Sequence, residues 1–130
     1  MISKDKRLLI LGCGGHAKVA ADIASAMGID KMIFKDNDFE KKYFLGSKVI
    51  HEQIFDFKEY FFVALGDNFL REKITKDFKK NNPEAIAVTL IHPSSFISKR
   101  SSIGIGTIIM PMCVVNSNAI IGKGVIINTS

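Results

Sequence analysis

A chain of 130 residues and 14.4 kDa is long enough for one ordinary domain, or for two small units that share a core. Its hydrophobic share of 47% and charged share of 24% lie near the globular average, which excludes a disordered, collagenous or coiled-coil chain, and no apolar run approaches the ~18–20 residues that cross a bilayer. The net charge of +5 is unevenly spread: residues 1–90 carry 15 basic and 13 acidic side chains, and residues 91–130 carry 3 basic and none acidic. That balance suits an anionic ligand such as a nucleotide, but no Lys/Arg stripe interleaves with aromatics, so nucleic-acid binding is not expected.

Near the N-terminus, Lys4, Lys6 and Arg7 precede an apolar stretch ending Ile10-Leu11-Gly12-Cys13, which mimics a lipoprotein signal. The apolar part, Leu8–Leu11, is shorter than the ~7–15 residues of a secretory core, so it reads as a buried strand. Two cysteines, Cys13 and Cys113, make no disulfide framework, and a reducing, cytoplasmic setting without membrane insertion is expected.

From Arg7 to about Leu90, apolar runs alternate with helical periodicity. Leu8–Leu11 stops at a glycine cluster, as a central parallel strand does. Residues His16–Met27 put Val19, Ile23, Ala26 and Met27 on one helical face, ended by Gly28. Lys31–Lys35 and Phe61–Leu65 read as further strands. Asp67 is placed to cap a helix with Leu70, Ile74 and Phe78 on one face, stopped at Asn82-Pro83, and Ala85–Leu90 supplies one more strand. Strands alternating with helices predict a parallel α/β sheet.

From Ile91 the texture changes. Every sixth residue is β-branched: Ile91, Ile97, Ile103, Ile109, Val115, Ile121 and Ile127. With Ile and Val at 26 of 130 positions, seven successive hits in any of six frames has odds on the order of 10⁻⁴. Small or turn-prone residues, Ser98, Gly104, Gly106, Asn116, Asn118, Gly122 and Gly124, fall between them. A six-residue period fits a parallel β-helix, each hexad being a short strand and a corner, with the repeated aliphatic stacked inside. The expected division is therefore 1–90 for the sheet domain and 91–130 for an incomplete β-helix.

The first motif is Gly12-Cys13-Gly14-Gly15-His16-Ala17-Lys18-Val19, between a strand and a helix. Glycines let backbone approach a phosphate, and a helix N-terminus presents free N–H groups. The string also fits G-x-G-x-x-A, with Asp36 as the ribose acid of a dinucleotide site, but an α/β part of about 85 residues is half the size of such a domain. Nucleotide or nucleotide-sugar binding, dinucleotide binding and a purely structural turn all remain open here. Asp36 and Asp38 follow the second strand and Leu65-Gly66-Asp67-Asn68 the third, both at the carboxyl edge where open α/β sheets bind ligands. His16 is placed to face a bound substrate or to bond locally, His51 reads as a surface residue, and His92 as a contact at the start of the β-helix. Cys13 is either a reactive thiol at a helix N-terminus or a small packing residue, and no metal-ligand spacing exists.

The glycine loop with His16 and Lys18, the segment Ala64-Leu65-Gly66-Asp67-Asn68 with Arg71, and the hexads together resemble bacterial sugar acetyltransferases of the PglD/NeuD type, over about residues 7–130. The resemblance implies a small Rossmann-like domain joined to a left-handed β-helix, usually in a homotrimer. It implies a nucleotide-linked sugar in the N-terminal domain and acetyl-CoA, as co-substrate, between neighbouring β-helices. The positions matching the nucleotide-sugar site are Cys13, Gly15, His16, Asp36, Asn37, Ala64, Leu65 and Gly66. Asn128 matches a position lining the acceptor site. The expected activity is acetyl transfer to a nucleotide-linked amino sugar in glycan biosynthesis, with sialic acid O-acetylation and a non-catalytic sugar-nucleotide-binding or assembly module as the alternatives.

In the family, the motif seen here as Asn128-Thr129-Ser130 leads into an acid–histidine pair whose histidine is the general base. Residues 93–130 hold no His, Asp or Glu, so no such base exists in the hexad region. A solenoid of two coils is also short of the three repeats that usually make one stable. Both points lead to the expectation that the 130 residues are the front of a longer protein, or a shortened product, binding the sugar nucleotide while catalysing poorly.

Overall fold

Leu8–Leu11 forms strand β1, with Leu8 and Ile10 buried in one core cluster and Leu9 and Leu11 in another. A strand apolar on both faces must be covered twice, and the rest of the fold supplies the two covers. The computed structural model describes residues 5–129, so Lys4 of the basic N-terminal run and Ser130 of the Asn-Thr-Ser motif lie outside the described residues. After β1 come helix α1 (Gly15–Ala26), strand β2 (Met32–Lys35), the hairpin β3 (Tyr43–Phe44) and β4 (Ser47–Lys48), strand β5 (Tyr60–Val63), helix α2 (Asn68–Asn81) and strand β6 (Ile86–Ala87). The four longer-range strands make a parallel sheet in the order β2-β1-β5-β6.

Helix α1 lies where the sequence predicts it but buries a different face. Its buried residues are Ala17, Ala20, Ala21, Ile23 and Ala24, while Val19, Ala26 and Met27 are exposed. The i, i+3, i+4, i+7 stripe of alanines lets the helix approach its neighbours closely, so close packing, not side-chain size, selects the buried face. Helix α2 is capped as its sequence predicts, Asp67 Oδ1 accepting the N–H of Leu70 at 2.8 Å, and it packs Phe78 against Phe57 and Phe61. The hairpin was not legible, because two-residue strands carry no period; its Leu45-Gly46 turn has φ of 49° and 80°, the paired left-handed values of a tight hairpin loop.

The strand expected over 85–90 divides between the two units. Ile86–Ala87 closes the sheet, whereas Leu90–Ile91 is β7, the first strand of the β-helix. It is followed at six-residue steps by β8 (Phe96–Ile97), β9 (Ser102–Ile103), β10 (Ile108–Ile109), β11 (Val114–Val115), β12 (Ile120–Ile121) and β13 (Ile126–Ile127). Each strand pairs in parallel with the one 18 residues further on, giving the three stacks β7-β10-β13, β8-β11 and β9-β12 of a three-sided coil. The six-step aliphatics face inward, Ile109 and Val115 fully buried and the others packed partly buried against them.

The corners explain the interleaved small residues. Gly106, Met112, Asn118 and Gly124, again six apart, all have positive φ, between 61° and 80°. A glycine or asparagine is at home there, but Met112 is not a recognisable corner residue. Gly104 answers a different need: a Cβ on it would overlap the Gly122 carbonyl of the coil above.

That contrast is testable. Gly104→Ala is expected to lower stability by about 1–3 kcal/mol, as overpacking against backbone does. Gly122→Ala, whose Cβ would meet only Val125 at an ordinary 3.8 Å, should stay within about 0.5 kcal/mol of the parent, with chemical denaturation as the measure.

Candidate functional site

Strands β1 and β5 are neighbours, but the chain leaves β1 toward β2 on one side and later returns to β5 on the other. This reversal opens a crevice at the carboxyl ends of the two strands. The loop Gly12–Gly15 after β1 and the loop Ala64–Gly66 after β5 meet there. Gly12, at φ +110°, lies so near that a Cβ would come 2.8 Å from the Ala64 carbonyl oxygen. A Cβ on Gly14 or Gly15, in contrast, would meet nothing within 4 Å. The first glycine closes the loop on its neighbour, and the other two leave open space at the start of α1. That helix has no side-chain cap and no acid in its first turn, so its first N–H groups remain available to an anion.

Asp36 fastens the edge beside this loop. Its Oδ2 accepts the Cys13 N–H at 2.9 Å, and its Oδ1 accepts the Asp38 N–H at 2.8 Å. Lys41 lies 3.6 Å from the same carboxylate and donates to the Cys13 carbonyl at 3.3 Å. Burial, the largest single influence on Asp36, pushes its pKa up, but the two backbone N–H groups and Lys41 together hold it below the ordinary carboxylate value. Asn37 accepts from Lys35 Nζ at 3.1 Å. A groove of about 680 Å³ lies between this edge and α2, lined by Gly12, Asp36, Asn37, Phe39, His51 and Leu65 and, from the helix, by Leu70 and Ile74. His51, expected at the surface, is half-buried: its Nε2–H donates to the Lys41 carbonyl at 2.8 Å and its ring stacks on Phe39.

Cys13 is buried, and burial together with the neighbouring Asp36 charge raises its pKa to about 11, against a lesser pull downward from Lys41. That shift favours the protonated thiol at neutral pH, as for a buried packing residue. Asn128 stands apart on the β-helix after β13, where its carbonyl accepts from the Cys113 thiol. His92 bonds within its own turn, Nδ1 accepting the Ser94 N–H at 3.0 Å, so the junction contact expected of it is a local turn instead.

On the opposite side of the crevice stand His16 and Arg71. His16 packs 6.4 Å from the Phe62 ring, and its Nε2 is buried without a hydrogen-bond partner. Burial first, then the Arg71 charge, lowers its pKa, so the imidazole is neutral at pH 7. A buried ring nitrogen with nothing to bond is a place for a ligand atom or a water. Arg71 belongs to the quoted Ala64–Arg71 segment but received no role from the sequence. It is buried, donates to the carbonyls of Leu65 (3.0 Å) and Gly66 (3.3 Å), to Asn68 Oδ1 (2.7 Å), and through Nε to the Gly124 carbonyl (3.0 Å). Its guanidinium is therefore spent on holding the loop after β5 against a β-helix corner. A larger groove of about 1110 Å³ opens at that corner: Arg71 and Gly124 line it with further residues of α2 and with Ile105, Gly106, Lys123 and Val125 of the β-helix, and no residue of the glycine loop does.

The PglD N-terminal domain family matches residues 7–78, more than half of the chain. The chain belongs to that family. It is 32% identical over 113 residues to a UDP-N-acetylbacillosamine N-acetyltransferase of Bacillus subtilis, a match covering 81% of this chain and 51% of that protein. Among solved structures it superposes on the acetyltransferase domain of PglB from Neisseria gonorrhoeae with a TM-score of 0.82 at 30% identity, covering 95% of this chain and 62% of that one. That domain is also known in complex with acetyl coenzyme A. PerB from Caulobacter crescentus, in complex with CoA and GDP-perosamine, matches with a TM-score of 0.78 at 28% identity, over 94% of this chain and 59% of PerB. The chain thus spans between about half and three-fifths of these relatives, and its Rossmann-like sheet plus β-helix is their architecture. Among the described residues, no group of three or more His, Cys, Asp or Glu could hold a metal ion.

Two variants test this construction of the site. Asp36→Asn should cost about 1.5 kcal/mol at pH 7, the weight of a hydrogen bond to a charged group. Because the folded pKa of Asp36 is depressed, its contribution is present above the unfolded value of ~3.9 and lost as pH falls through the folded value; the stability gap to Asp36→Asn should close below about pH 4. Arg71→Met, which leaves four acceptors unbonded, should cost about 1.5–3 kcal/mol in denaturant titrations at any pH from 6 to 9.

Proposed function

We propose that this chain forms the nucleotide-sugar-binding part of an N-acetyltransferase that moves an acetyl group from acetyl-CoA to the amine of a nucleotide-linked amino sugar. The observation that carries this reading is the convergence, at one sheet crevice, of an open glycine loop, the Asp36–Asn37 edge and the Ala64–Gly66 loop, in a chain whose relatives carry N-acetyltransferase and GDP-perosamine-bound names. In this reading the diphosphate lies at the first N–H groups of α1. The base lies along the Asp36–Asn37 side, and the sugar reaches past His16 toward the β-helix. Cys13 and Gly15 contribute backbone there, since the Cys13 side chain is buried and Gly15 has none.

The transfer is a direct acyl exchange. The amine nitrogen attacks the thioester carbonyl, a C–N bond forms, the C–S bond breaks, and the proton lost by the amine passes through a general base to the departing thiolate. Residues 93–130 contain no His, Asp or Glu, so in this reading the base is not one of these hexad residues. The same observation favours a second reading, in which the chain binds a nucleotide sugar and assembles without catalysing. Assembly of several copies, a homotrimer in our reading, is supported by the exposed Phe96, Met112, Val114 and Ile120 on the outer faces of the β-helix. Two free buried thiols and the absence, among the described residues, of a helix long and apolar enough to cross a membrane are compatible with the cytoplasmic setting we infer.

Calorimetry of the 130-residue chain against a UDP-linked and a GDP-linked 4-amino sugar, with NADH and acetyl-CoA as parallel titrants, tests the proposal. Saturable binding of a nucleotide sugar without NADH binding is the expected result, and NADH binding alone would overturn it. Steady-state turnover should lie below about a hundredth of that of the relatives named above, because lack of a general base costs ~10²–10⁴-fold. Turnover at the relatives' rate would place a base within these 130 residues.

A further inference from the structure

The groove beside the glycine loop contains an aromatic pair that the sequence did not single out. Phe39 is 73% exposed, although its ring is not free: it stacks on the His51 ring at 5.0 Å between centroids and 29° between planes. Both rings line the groove together with Gly12, Asp36 and Asn37. Other exposed aromatics, Tyr43, Phe55, Phe69 and Phe96, line neither this groove nor the larger one.

Hydrogen bonds through Lys41 connect the pair to the glycine loop. Phe39 sits at the crest of a run of tight turns, in which Asp36 Oδ1 accepts the Asp38 N–H, Asp38 Oδ1 accepts the Glu40 N–H at 3.0 Å, and the Asp38 carbonyl accepts the Lys41 N–H at 3.1 Å. Lys41 then ties both ends. Its carbonyl takes the His51 Nε2–H, which locks the backing ring, and its ammonium reaches the Cys13 carbonyl in the glycine loop. A solvent-facing ring pre-ordered in a groove that Gly12 also lines offers its exposed face to a planar, weakly polar group, while the open backbone at the start of α1 offers N–H groups to an anion. A nucleoside diphosphate carries both.

We infer that Phe39, backed by His51, is the platform on which the base of the bound nucleotide stacks. The inference rests on the nucleotide-sugar reading above and adds the residue that holds the base. Because stacking does not read base edges, the platform accepts a pyrimidine or a purine, and discrimination between them falls to neighbours such as Asn37.

The chain has no tryptophan, so Phe39→Trp introduces a single fluorophore at the site. The probes are UDP, GDP and ribose 5-phosphate, titrated into the wild type, Phe39→Ala and Phe39→Trp. Phe39→Ala should weaken UDP and GDP about tenfold or more and leave ribose 5-phosphate unchanged. Phe39→Trp should keep nucleotide affinity and show emission quenched by UDP and GDP but not by ribose 5-phosphate. Wild-type nucleotide affinity in Phe39→Ala, with no quenching in Phe39→Trp, overturns the platform and leaves the nucleotide site standing. A folded wild type that binds neither UDP nor GDP overturns both. If Phe39→Ala alters self-association in sedimentation but not nucleotide affinity, the ring is a contact between copies and the inference fails.

Discussion

The alanine stripe of α1 lies against the outer face of the β-helix, and the rest of the molecule depends on that contact. Leu90 and Ile108 point outward from their coils, as Phe96, Val114 and Ile120 do, yet they are fully buried, with α1 packed on β7. Leu8 and Ile10 of the central strand, the alanines of α1 and Ile109 and Val115 inside the β-helix belong to a single apolar cluster. A sheet unit of this size, or two coils of solenoid, would each bury too little surface alone. Joined through small side chains that permit close approach, they make one core. Arg71 adds a polar fastening at the rim, giving hydrogen bonds to the carbonyls after β5 on one side and to Gly124 on the other.

This joint has a consequence for chemistry. A ligand bound at the β1/β5 crevice has its position relative to the β-helix set by packed side chains, not by a linker. For a group transfer in which one partner rests on the sheet unit and the other meets the coils, that rigidity supplies orientation in advance. His16 lies near Arg71, which bonds the β-helix corner at Gly124, and the Phe39–His51 pair lines the groove beside Asp36.

The local bonding separates residues that build the site from those left over to use it. Asp36 has both carboxylate oxygens engaged by backbone N–H groups, and Arg71 uses its guanidinium on four protein acceptors. Cys13 is buried and protonated. What remains uncommitted is the N-terminal backbone of α1, the exposed face of Phe39 and the Nε2 of His16. Charged residues in a candidate site thus prove to be scaffold, while the groups free for a ligand are less conspicuous in sequence.

Periodicity alone determined most of the architecture. The all-apolar Leu8–Leu11 run specified a doubly covered strand, Asp67 with Leu70, Ile74 and Phe78 specified a capped helix, and the six-step aliphatics specified stacked coils, because each pattern reflects repeated local geometry. The glycine loop was legible for the same reason, as a turn between a strand and a helix. What only the tertiary structure decided were contacts between residues far apart in the chain. These are the alanine face that α1 buries against Leu90 and Ile108, the assignment of Leu90 to the β-helix, the Arg71 bridge to Gly124 and the meeting of Phe39 with His51. None of these has a local signature. Each depends on where a second segment arrives in space, and a linear pattern does not encode that arrival until the two units close on one core.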